Sequence, residues 1–87
     1  MTHLLIRHKI ADFDRWKISY DTHSSSRLAA GLKEEHLFRN SENPKEVILL
    51  FTVADLKKAQ AFVASPDLRE AMQKAGVTDK PDIYYLS

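Results

Sequence analysis

Residues Glu46–Val53 read EVILLFTV, the one place where apolar side chains run on without alternation. The run is too short for an ordinary helix and reads as a strand buried on both faces. Successive side chains of a strand point to opposite sides. Val47, Leu49, Phe51 and Val53 then face one way, and Ile48, Leu50 and Thr52 the other. Both sides need cover, and in 87 residues the helices can supply only one of them. A second copy of the chain is the economical cover for the other.

Working outward, Glu35–Ser41 (EHLFRNS) alternates, with His36, Phe38 and Asn40 on one face and Leu37 and Arg39 on the other. Ser41–Lys45 has turn chemistry, because Pro fixes φ and Asn and Ser bond back to local backbone. These two strands therefore form an antiparallel hairpin. His3–Ile10 alternates as well, placing Leu4, Ile6, His8 and Ile10 on one side. Ile83–Leu86 supplies a last, aromatic strand.

Two helical stretches lie between the strands. Asp12 offers an N-cap oxygen, and Phe13, Trp16 and Tyr20 recur at helical spacing. The stripe continues through His23 to Arg27 if the helix survives Ser24-Ser25-Ser26, and Gly31 stops it. Asp55 caps a second helix carrying Leu56, Ala59, Phe62 and Val63. Ser65-Pro66 interrupts that helix and restarts it, since serine caps and proline suits a first turn. The restarted piece spans Pro66–Ala75, with Leu68, Met72 and Ala75 inward and Gly76 as a left-handed stop.

The order β-α-β-β-α-β predicts one α+β domain over residues 1–87. A four-stranded antiparallel sheet carries both helices on one face, the ferredoxin-like arrangement. Ile48 and Leu50 then sit on the bare face with one of Tyr84 and Tyr85 and with Leu5 or its neighbours. Apolar patches of that kind are rare on monomers. The expectation is a two-fold homodimer with sheets packed face to face.

Composition narrows the function classes. Thirteen basic and twelve acidic side chains give a formal charge of +1, which offers no field for nucleic acid. There is no cysteine, hence no thiol nucleophile or thiolate metal site, in keeping with a reducing cytoplasm. MTHLLIRHKI lacks the pattern of a signal peptide, and no apolar run approaches membrane-spanning length. The four histidines lack HxH or HExxH spacing, so no metal site is expected. Only Gly31 and Gly76 are available, too few for a phosphate-binding loop.

DFDRWKISYDTH in the first helix and NPKEVILLFTVADLKKAQAFVASPDLREAMQKAGV in the second half resemble the dimeric α+β barrel superfamily. Antibiotic-biosynthesis monooxygenases and small cyclase-like bacterial proteins belong to it. The resemblance covers nearly the whole chain. It implies a barrel-shaped homodimer with a small-molecule cavity between each sheet and its helices. The monooxygenases of that group would call for asparagine and tryptophan in the pocket. Trp16 is the only tryptophan, and Asn40 and Asn43 flank the hairpin turn.

From Phe13 to Arg27 an unbroken helix would run about 21 Å. Trp16 and Tyr20 would wall the helix–sheet space, with His23 and Arg27 at its mouth and His8 and His36 as further candidates. Mostly apolar walls with a few convergent polar groups are the usual form of a ligand pocket. The first reading is a cofactor-free cyclase- or isomerase-like enzyme on a small, partly apolar organic molecule. His23 would shuttle protons and Arg27 would hold an anionic or enolate oxygen. The rival is a non-catalytic binding or self-associating protein on the same scaffold, and the resemblance adds cofactor-independent oxygenation as a second alternative.

Overall fold

The apolar run is the long middle strand of the sheet. The computed structural model describes residues 2–78 and 80–87. In it the strands are β1 (Thr2–Lys9), β2 (Leu32–Asn40), β3 (Asn43–Val53) and β4 (Asp82–Leu86). They form one antiparallel sheet in the order β2-β3-β1-β4. The helices are α1 (Phe13–Thr22), α2 (Ser24–Ala29), α3 (Leu56–Val63) and α4 (Pro66–Lys74). This is the ferredoxin-like α+β arrangement, with each crossover helix broken in two.

Alternation along β3 separates two environments. Leu4, Val47, Leu49 and Phe51 are at most 2% exposed, under a helix layer that contributes Trp16 and Ala59. Leu5, Ile48 and Leu50 on the opposite face are only half-buried. Their neighbours Phe38 and Tyr84 are 51% and 54% exposed. Cross-strand register puts His36, Leu50, Leu5 and Tyr84 in one row across all four strands.

Sequence expectation and structure differ by single residues at several element ends and by more at the points that follow. β3 starts at Asn43, so the hairpin turn shrinks to Ser41-Glu42. Asn40 and Asn43 side chains accept from the backbone N–H of Glu42 and Lys45 and tighten it. Pro44 is tolerated because it lies beyond the last β1 partner, Glu46, where no ladder bond is lost. β2 starts at Leu32 and carries a register shift between Glu34 and His36. Leu56, at the start of α3, is exposed.

A further difference is the break at His23, ahead of the serines, which remain helical. His23 Nδ1 donates to Ser19 O at 2.8 Å. That carbonyl is the i−4 acceptor that the His23 backbone N–H would use in an unbroken helix. The N–H turns instead to Tyr20 O at 3.2 Å. Arg27 Nη1 also donates to Tyr20 O, at 2.7 Å. A histidine and an arginine side chain thus build the bend.

The caps follow the sequence closely. Asp12, Asp55 and Ser65 accept from the backbone N–H of Arg15, Lys58 and Leu68. Gly31 and Gly76 take φ of 79° and 86°, the left-handed region that favours glycine. Val77 N–H donates back to Met72 O and closes the end of α4.

Candidate functional site

Between the helix layer and the covered face of the sheet lies a cavity of about 670 Å³, open space at its mouth included. Leu49 and Phe51 form its floor, and Phe62 and Met72 of the α3–α4 arm stand opposite the α1 stripe. Most of its polar groups come from the α1–α2 bend (Ser19, Tyr20, His23 and Arg27), and β1 adds His8. The bend brings together residues that sequence spacing alone set along a straight helix.

Trp16 is 2% exposed and stacks on Tyr20, with ring centroids 4.8 Å apart and planes 20° apart. His8 meets the Trp16 ring edge-on at 5.6 Å and is buried in the same wall. The Arg27 guanidinium carbon lies 3.6 Å from the centre of the Tyr20 ring. That contact and the bond to Tyr20 O fix the guanidinium over the ring. Burial lowers its proton affinity, opposed through space by Tyr20, Glu34 and Asp21. With Nδ1–H committed to Ser19 O, the neutral His23 imidazole carries its lone pair on Nε2.

Glu34 joins the site without having stood out in the sequence. Its Oε1 accepts from the Tyr20 hydroxyl at 2.6 Å. Burial, reinforced by that bond, pushes the Tyr20 phenol well above its ordinary value. Tyr20 is therefore a fixed donor and ring platform, unsuited to act as a base at neutral pH. The register shift places Glu34 opposite Phe51 and turns the next paired residue, His36, outward opposite Leu50.

Of the sequence candidates, Trp16, Tyr20, His23, Arg27 and His8 line the cavity. His36 does not; it stacks on Phe38 at 5.3 Å on the open face. Strand parity explains the correction, because Leu37 points inward and its neighbour must point outward. Ile48 and Leu50 lie on the open face as expected. Asn40 and Asn43 are bonded into the hairpin and line no part of this cavity. Among the described residues no group of three His, Asp or Glu side chains is placed to hold a metal ion. Among them, too, no helix is long and apolar enough to cross a membrane.

No protein-family profile matches the chain, and no curated protein matches its sequence. Solved structures do resemble it over nearly the full length of both partners. A provisionally assigned antibiotic biosynthesis monooxygenase from Bordetella bronchiseptica aligns with a TM-score of 0.78 at 13% identity, covering 99% of this chain and 94% of that one. SnoaB, a cofactor-independent oxygenase from Streptomyces nogalater, aligns at 0.72 and 10%, covering 99% and 90%. An uncharacterized NIPSNAP domain protein from Burkholderia xenovorans aligns at 0.66 and 8%, covering 100% and 93%.

Sheet order, helix layer and cavity define the class as a ferredoxin-like α+β fold with a pocket between helices and sheet. More particularly, it is the fold seen in solved structures described as antibiotic biosynthesis monooxygenases. Identities of 8–13% speak for the fold alone, and one fold hosts many reactions.

Proposed function

We propose that the chain is a small-molecule-binding homodimer acting as a cofactor-free, cyclase- or isomerase-like enzyme on a partly apolar organic molecule. The observation that carries this reading is the polarity of the cavity: apolar on floor and far wall, with Tyr20, His23 and Arg27 gathered at the bend. A ligand's apolar body would lie against Leu49 and Phe51. His23 Nε2 would take and return a proton, while Arg27 stabilises negative charge on a reacting oxygen.

The dimer would form through the open face. Leu5, Phe38, Ile48, Leu50 and Tyr84 present an apolar strip. At its margins Arg7 is already paired within the chain with Glu46 and Asp82, and His3 lies 3.2 Å from Glu35. A paired charge costs less to cover than a lone one. Burying a large apolar side chain contributes about 1.5–3 kcal/mol, and half-buried ones contribute part of that. We assign the protein to the cytoplasm, where a cysteine-free chain is at home.

Incubating the protein with a metabolite extract, without added cofactor, tests the enzymatic reading by mass spectrometry. The expected result is a compound consumed by the native protein and spared by His23→Ala. A compound retained unchanged by both would instead support the binding-only alternative.

Cofactor-independent oxygenation is the second reading, favoured by the stacked Trp16–Tyr20 wall and the likeness to SnoaB's fold. It requires oxygen uptake with turnover, which an oxygen electrode reads directly. Cyclisation or isomerisation consumes none.

A further inference from the structure

We propose that the ligand of the helix–sheet cavity arrives already singly negative, its charged oxygen seated against Arg27 and its apolar body along Leu49 and Phe51. This rests on the small-molecule reading above and deepens it by fixing the ligand's charge state and polarity pattern. The class is a monoanionic amphiphile, such as an alkyl or aryl carboxylate.

Arg27 is half-buried in the wall of an otherwise largely apolar cavity. Only Nη1 has a hydrogen-bond acceptor among the described residues, the Tyr20 carbonyl. A guanidinium has five N–H donors, so most of them have no protein acceptor among the described residues. Among the described residues no carboxylate lies within ion-pair distance of it. Asp21 is bonded to Lys17, and Glu34 accepts from the Tyr20 hydroxyl. Both reach Arg27 only through space. The cation is fixed and partly stripped of water, and it lacks a contacting counter-ion.

A neutral occupant would displace the remaining water and leave the guanidinium buried deeper and unpaired, which is costly. An enolate formed later in a reaction does nothing to offset that cost on arrival. A carboxylate supplies the missing partner, in a planar geometry that suits the guanidinium fork. A dianion fits less well, because the Glu34 carboxylate stands behind Tyr20 and repels a second negative charge.

Trp16, in the cavity wall and the only tryptophan, is a built-in reporter. Decanoate, decanol and decyl phosphate, with cinnamate and cinnamyl alcohol as the aryl pair, are titrated by calorimetry. Trp16 fluorescence follows the alkyl series. In at least one pair the carboxylate should bind about tenfold or more tighter than its alcohol, and decanoate tighter than decyl phosphate. Arg27→Met should abolish the carboxylate preference while circular dichroism stays native, and Glu34→Gln should tighten carboxylate binding. An alcohol as tight as its carboxylate in both pairs overturns the charge assignment and leaves the small-molecule reading standing. A folded Arg27→Met that keeps the preference overturns the assignment equally. If Arg27→Met does not fold, the native comparison decides alone. Absence of binding by all five probes overturns both this inference and the reading beneath it.

Discussion

The two faces of the sheet are built from the same strands and differ in how much cover the chain can give them. On the covered face, Val47, Leu49 and Phe51 are sealed by the helix layer. One residue along, Ile48 and Leu50 have comparable side chains and only partial cover. The covered face also stops short of complete packing, leaving the cavity beside Trp16 and Tyr20. One face thus has a cavity walled by its own chain and open at its mouth, and the other has apolar surface that its own chain does not cover. Ligand and partner are assigned accordingly.

The largest effect should come from the covered face. Phe51→Ala removes a side chain that is 1% exposed and should cost about 3–5 kcal/mol in a urea melt. Ile48→Asp, on the other face of the same strand, should leave the secondary structure intact while halving the particle mass in light scattering. If Ile48→Asp unfolded the chain as thoroughly as Phe51→Ala, the distinction between the faces would fail.

A third change probes the bend that shapes the cavity. His23→Ala gives Ser19 O back to the backbone N–H of position 23, and α1 and α2 should merge toward a straighter helix. Arg27 should then leave Tyr20 O, read as a loss of the Arg27 side-chain N–H signal in NMR. An unshifted Arg27 signal would mean that the serines, rather than His23, set the break. Asp55→Ala, at the cap of α3, should cost about 1 kcal/mol, since one backbone donor loses its acceptor.

The smallest effect is electrostatic and belongs to the open face. Hydrogen bonds from Arg7 at 2.8 and 2.9 Å hold the Glu46 carboxyl below the usual carboxylate range. A carboxyl whose folded value is depressed stabilises the fold above its unfolded value and loses that contribution as pH falls through the folded one. Native protein should therefore lose more stability than Glu46→Gln between neutral pH and about pH 3. Equal losses in paired urea melts would remove Glu46 from the acid response.

Much of the architecture is legible in the sequence because it depends on short-range pattern. EVILLFTV carries the parity of β3, and the capping oxygens of Asp12, Asp55 and Ser65 mark three helix starts. The bend at His23 is hidden because it depends on a histidine side chain competing for a carbonyl, which residue propensities do not record. Glu34 is hidden because clean alternation begins only at Glu35; the apolar Leu32 marks the earlier start of β2, but the register shift breaks the pattern between them. His36 does not belong to the cavity, and Leu37 beside it already claims the inward position. The convergence of Phe62 and Met72 on the far wall depends on how the α3–α4 arm is angled, which no local pattern encodes.

The most direct measurement of the central claim is sedimentation equilibrium of the native protein over a dilution series reaching low micromolar concentration. The account predicts a mass of two chains, falling to one chain for Ile48→Asp at the same concentrations. A native protein that sediments as a single chain throughout, with Leu5, Ile48 and Leu50 left to water, would contradict it.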